Sequence, residues 1–198
     1  MKNRFFLVVA TVAAVVLMAS CGKVPQADID AANAAISAAK TAQADIYLPA
    51  EFAALNDSMT VITQSVEAQK SKLFKNFKTV KVQAGALTTL AGQIATNAAV
   101  KKDEVKKEAE GLLNNIKAVV AENAKLLPKL PRGKEGAAVI EQIKGDLNAV
   151  DATVAEAQSL FDKGTYMDAL NKIKAATDKA NSLNAEIKEV LTKARIKF

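Results

Sequence analysis

The sequence predicts an all-α protein, an antiparallel helical bundle or a pair of long helical hairpins with heptad-like seams, built from about five or six helices. Alanine, the best helix former, makes up about a fifth of the 198 residues, while glycine and proline number only 8 and 4. Apolar residues recur at alternating three- and four-residue steps over most of the chain, which is the spacing of one helix face. The helix breakers gather in a few short segments and leave long periodic stretches between them.

The first segment has a different character. Lys2 and Arg4 precede an uncharged run from Phe5 to Leu17, and the small residues Ala19 and Ser20 then lead into Cys21, the only cysteine. A basic start, an apolar core and a small-residue site make a secretory signal. Residues 5–19 are short for the roughly 20 apolar residues of a membrane-spanning helix, which favours a cleaved signal over a retained anchor. Leu17-Met18-Ala19-Ser20-Cys21 resembles the lipobox of bacterial lipoproteins, with Met18 where leucine is commonest. The resemblance implies cleavage between Ser20 and Cys21 and acylation of Cys21 on its thiol and its new amino group. Two or more acyl chains anchor a protein stably where one does so only marginally. Gly22 stands where an aspartate would retain many such lipoproteins at the inner membrane, so the resemblance further implies the outer membrane, facing the periplasm. In a bacterium with one membrane, the same anchor would hold the chain on its outer face.

Without residues 1–20 the chain keeps 178 residues, 25 basic and 21 acidic, a net charge near +4. That is enough for one domain or two small ones, and too mild a charge to point to nucleic acid. A single cysteine makes no disulfide within the chain, so packing alone must hold the fold. Residues 21–27 form a lipidated cysteine and short spacer. Gly22 to Gln26 span at most about 18 Å, which keeps the folded part near the lipid surface.

The chain then divides into a helical hairpin unit over 28–127, a linker over 128–133 and a second hairpin over 134–198. A first helix is expected from an N-cap at Asp28 to Ile46, with Ile29, Ala32, Ile36, Ala39, Gln43 and Ile46 on one stripe. Leu48-Pro49 ends it, and Pro49 suits the first turn of a second helix that carries Phe52, Leu55, Met59, Ile62, Val66, Gln69 and Leu73. Only Gln69 breaks that seam. Phe77, Val80, Ala84, Leu87, Ala91, Ile94 and Ala98 begin the next stripe, and Val105, Ala109, Leu112, Ile116, Val119, Asn123 and Leu126 resume it in a shifted register. Helix-length statistics favour a break between Asn97 and Asp103, whereas the heptads allow one long helix. The run from Lys101 to Glu108 is a solvated face that includes an Asp103–Lys107 pair four residues apart.

Pro128 and Pro131, with Gly133, cannot sit inside a continuing helix. Beyond them Ile140, Ile143, Leu147, Val150, Val154, Ala157 and Phe161 make one stripe. Tyr166, Ala169, Ile173, Ala176, Ala180, Leu183, Ile187, Val190 and Ala194 make the last, with Gly164 fitted to a left-handed C-cap and Thr165 to the N-cap between them.

Two corners look alike: Leu73-Phe74 with Phe77, and Leu160-Phe161 with Tyr166, a weak internal repeat with a period near ninety residues. The second corner resembles the turn of tetratricopeptide-type repeats over about thirty residues, without that family's tryptophan-leucine-glycine pattern. Tyr47-Leu48-Pro49-Ala50-Glu51 is similar to a helix start in alanine-rich helical-hairpin lipoprotein domains of unknown function. That resemblance implies no active site.

Chemistry is sparse. The chain has no histidine, no phosphate-cradling glycine loop and no serine elbow, and Asp28, Asp30 and Asn33 lack the glycine and glutamate of a calcium loop. The expectation is a protein that is not an enzyme and uses no cofactor or metal. It is expected instead to act as a lipid-anchored scaffold or spacer of the cell envelope, or to dock another envelope protein. A second expectation is a groove for a lipid or other hydrophobic ligand. A third is membrane-surface binding through Lys70–Lys81, where Lys72, Phe74, Lys75, Phe77, Lys78 and Lys81 would touch the membrane or a partner. The heptad stripe that starts at Phe77 favours the other reading of that patch, a corner between helices whose phenylalanines plug the end of the core while its lysines face water.

Overall fold

Pro25 opens the first helix: it stands at the N-cap with φ −76°, and α1 runs from Gln26 to Thr41. The computed structural model describes residues 22–131 and 134–198, so the signal segment with Ser20 and Cys21 lies outside the described residues. Asp28, expected to be the cap, lies instead in the first turn, where its charge suits the positive helix end. The single helix expected through Ile46 is two helices. Gln43 takes a left-handed φ of 62°, and a short α2 follows over Ala44–Tyr47. The extra turn slips the register by one residue. Ala32, Ile36 and Ala39 are buried as their stripe requires, but beyond Gln43 the buried residues are Ala44 and Tyr47, and Ile46 faces solvent.

Pro49 occupies the first turn of α3, Pro49–Lys70, where its missing N–H costs nothing. Leu55, Ile62 and Val66 are buried along it. The fourth helix, α4, is continuous from Lys78 to Leu126, 49 residues and roughly 74 Å at 1.5 Å per residue. No break occurs between Asn97 and Asp103. Lys107 Nζ lies 2.7 Å from Asp103 there, and its hydrogen bond and charge hold the Asp103 carboxyl below the usual value. A short 3-10 turn, Leu127–Lys129, leads to α5, Lys134–Asp162, and then α6, Tyr166–Lys193. Among the described residues there are six α-helices and no strand, an all-α helical bundle.

Contacts divide the chain into two compact units that part at Lys101/Lys102, inside α4. In the first, α1, α2, α3 and the start of α4 enclose one core. The whole expected stripe from Phe77 to Ala98 is buried in it, with Leu55, Ile62 and Val66 opposite. In the second, the end of α4, α5 and α6 enclose Ile116, Leu126, Ile143, Leu147, Leu183 and Ile187. Leu130 belongs to this same core. The boundary expected at 128–133 is therefore a corner within the second unit: its prolines end a helix, but the apolar residues on both sides share one interior. The α4 stripe also shifts, since Leu113 rather than Leu112 is buried. At the other end Leu191 is buried, and Ala194 is exposed past the end of α6.

Ion pairs give the helix directions of the second unit. Lys172 to Glu156 at 2.7 Å and Lys179 to Asp146 at 3.0 Å run oppositely along α6 and α5, so these helices are antiparallel. Lys174 to Glu108 at 2.7 Å and Lys188 to Glu122 at 2.8 Å advance together, so α6 and α4 are parallel. Between α5 and α6, Gly164 has φ 80°; its N–H donates to the Phe161 carbonyl and that of Thr165 to the Leu160 carbonyl. This is the left-handed cap that glycine serves best. Thr165 stands at the N-cap as expected, but its hydroxyl donates back to Leu160.

Hydrogen bonds from Lys188 and Lys172 hold the Glu122 and Glu156 carboxyls below their ordinary value. Such a carboxylate adds stability above its unfolded pKa and loses it as pH falls through the lower folded one. Urea unfolding should therefore show a small loss of stability below about pH 4, which added salt diminishes because both carboxyls are exposed. A midpoint independent of salt at neutral pH would show that these pairs contribute nothing.

Candidate interaction surface

The α3–α4 corner carries the residues that the sequence singles out. Helix α3 stops at Lys70, and the N–H groups of Ser71 and Lys72 bond back to Glu67 and Gln69. The chain then leaves helical geometry until Lys78. Its shape is fixed by local bonds: the Asn76 N–H donates to Gln69 Oε1 at 3.4 Å, and the Lys78 N–H to Asn76 Oδ1 at 3.0 Å. Gln69, the polar interruption of the α3 stripe, thus braces the corner.

The apolar residues here divide sharply. Phe77 is buried in the first core, as the core-plug reading expected. Leu73, expected at the end of the α3 stripe, is 90% exposed because that helix has already ended, and Phe74 beside it is 87% exposed. Lys72, Lys75, Lys78 and Lys81 are all exposed and, among the described residues, make no ion pair, whereas Lys70 pairs with Glu67 at 2.8 Å. From residue 68 to residue 102 the chain holds seven lysines and no acid. The patch is thus positive, and Glu67 offsets only Lys70 of its lysines.

The corresponding corner of the second unit is closed. Leu160 and Phe161 are half-buried, and the Phe161 and Tyr166 rings pack 5.1 Å apart at 57°. Lys102 and Lys106 lie over the Tyr166 ring at 5.9 and 5.7 Å, within reach of a cation–π attraction. Both corners join the second long helix of a unit to the third, so the repeat seen in the sequence marks equivalent places. Only one has its apolar pair bare.

A second feature lies on the first unit. Ser58, Val61 and Ile62 of α3 face Gln83, Ala86, Leu87 and Leu90 of α4 across an open groove of about 310 Å³. Val61 and Leu90 are among its exposed apolar walls. Gln83 Oε1 is buried there without a hydrogen-bond partner. The sequence raises an apolar groove as an expectation but does not place it, because Val61 and Leu90 fall off the core stripes; an apolar residue beside a stripe was the available signal.

In the second unit, Asn123 is fully buried and donates to the Ala180 carbonyl at 2.9 Å, while its own Oδ1 accepts from Asn184 at 2.6 Å. This polar pair ties α4 to α6. Among the described residues no group of three metal-binding side chains occurs, and no helix is long and apolar enough to cross a membrane. Compared with protein-family models, curated proteins and solved structures, the chain matches none.

Proposed function

We propose that this chain is a lipid-anchored scaffold of the bacterial cell envelope, non-catalytic, which docks another envelope protein on the α3–α4 groove of its first unit. The lipobox-like segment ending at Cys21 supplies the anchor and the address, and the short spacer after it keeps the helices close to the lipid. The observation that carries the docking is the groove itself. Its apolar walls are open rather than enclosed, which suits a segment of a partner better than a small ligand sealed from water. The unpaired Gln83 oxygen offers that segment one acceptor.

A photo-crosslinking residue in place of Val61, activated in intact envelopes, is expected to yield one reproducible protein adduct. The adduct should disappear when Leu90→Glu is added, while a crosslinker at the solvent-facing Lys125 gives none. Adducts that are equally abundant with and without Leu90→Glu would reject the groove as the docking surface.

A further inference from the structure

The bare α3–α4 corner has chemistry that partner docking in the groove does not use. We propose that it is a membrane-contact site, at which Leu73 and Phe74 enter the interfacial layer of an anionic bilayer while Lys72, Lys75, Lys78 and Lys81 lie among the lipid phosphates. This inference goes beyond the docking reading and requires neither the groove nor acylation of Cys21.

Four observations converge on a lipid surface. Two adjacent large apolar side chains are 90% and 87% exposed at the tip of a braced turn, where water solvates them at a cost that burial would remove. The lysines around them are without ion-pair partners among the described residues, and no acid occurs from residue 68 to residue 102. Cationic side chains flanking a leucine–phenylalanine tip match the interfacial pattern, in which the rings dip below the phosphates and the ammonium groups stay level with them. The equivalent corner of the second unit covers its own apolar pair, so exposure is not a requirement of this kind of turn.

Chain topology supplies the fourth. Helices α1 and α2 run from Gln26 to Tyr47, about as many residues as the 22 of α3, which returns beside them within the same core. The corner after Lys70 thus comes back to the end of the first unit at which Gln26 enters. Cys21 precedes Gln26 by a spacer that spans at most about 18 Å. A lipid on Cys21 and the Leu73-Phe74 tip would therefore face one surface. Buried Phe77 takes no part in contact; it fixes the corner to the core.

The test uses the mature chain, residues 21–198, carrying Cys21→Ser so that no acyl chain contributes. It is mixed with vesicles of phosphatidylcholine alone or with phosphatidylglycerol. Binding to the anionic vesicles is expected, weakened by salt, and weakened about tenfold or more by Leu73→Ser with Phe74→Ser or by glutamine at Lys72, Lys75, Lys78 and Lys81. All six residues are exposed, so the variants should keep the helical circular dichroism of the parent. Because the chain has no tryptophan, Phe74→Trp gives a single reporter whose emission should shift to the blue on anionic vesicles. Absence of vesicle binding, binding unchanged in both sets of variants, or an indole emission from the Phe74→Trp variant that stays at its aqueous wavelength would each overturn the proposal. Protein crosslinks from position 74 with no vesicle binding would mean that the corner meets an acidic protein instead. Loss of the Val61 adduct leaves this proposal standing, and loss of vesicle binding leaves the docking reading standing.

Discussion

Replacing Cys21 by serine is expected to abolish lipid attachment altogether, the largest effect that any single substitution in this chain should have. Thioether and amide acylation both require that residue, and the sequence offers no second thiol. Cells given a labelled fatty acid should label the parent protein and leave the Cys21→Ser variant unlabelled. Mass spectrometry of the parent should place the acyl mass on a peptide that begins at Cys21. Label that persists in the variant would refute the lipobox reading. The measurement would also separate the two proposed contributions to membrane attachment, because binding by the Leu73-Phe74 corner is expected to survive loss of the acyl chains and to be salt-sensitive, whereas acyl anchoring is expected not to be.

The second large effect is expected at Asn123. Asn123→Asp replaces the donor to the Ala180 carbonyl by a carboxylate in a fully buried position, and should cost about 3–5 kcal/mol of stability at neutral pH. Asn123→Leu removes both partners' bonds at once. Ala180 lies inside α6, where its carbonyl keeps its place in the helix, and Asn184 is only part-buried, so the change in stability should stay within about 1 kcal/mol. The polar pair is expected to help fix how α4 and α6 align, so that its loss should appear as broadened amide signals along those helices rather than as unfolding. Urea denaturation of the three proteins orders them. An Asn123→Asp variant as stable as the parent would show that the site admits water.

The same position shows how far the sequence reaches. Asn123 falls on the α4 stripe, so its burial is legible from periodicity, but its partners lie about sixty residues away and no local pattern names them. Phe77 is similar: the heptad register that starts there places it in the core, and it is buried. Phe74, three residues earlier and of the same type, carries no register that could assign it. Whether it plugged the core or stood in solvent depended on where α3 ended. That end depends on the bonds of Ser71 and Lys72 back to the last turn and on the brace from Gln69, local bonds in a segment where no glycine or proline announces a helix end.

Prolines illustrate the opposite limit. Pro49 begins a helix and Pro128 ends one, both as local sterics demand. Sterics says nothing about whether a break separates two cores. Leu130 packs with Ile143 and Leu126, so the break at 128–131 became a corner, while the unit boundary fell inside an unbroken helix whose residues there, from Lys101 to Lys107, are mostly good helix formers.

Helical class and nearly every buried stripe are legible in the chain alone, because helix propensity and heptad spacing act through neighbours in sequence. The division into units, the slip at Gln43, the groove between Val61 and Leu90 and the bare pair Leu73-Phe74 emerge only in the folded molecule. Each of these depends on which distant surfaces meet and which stay in water. Burial is a property of the assembled helices, and a periodic pattern states only which face is available for it.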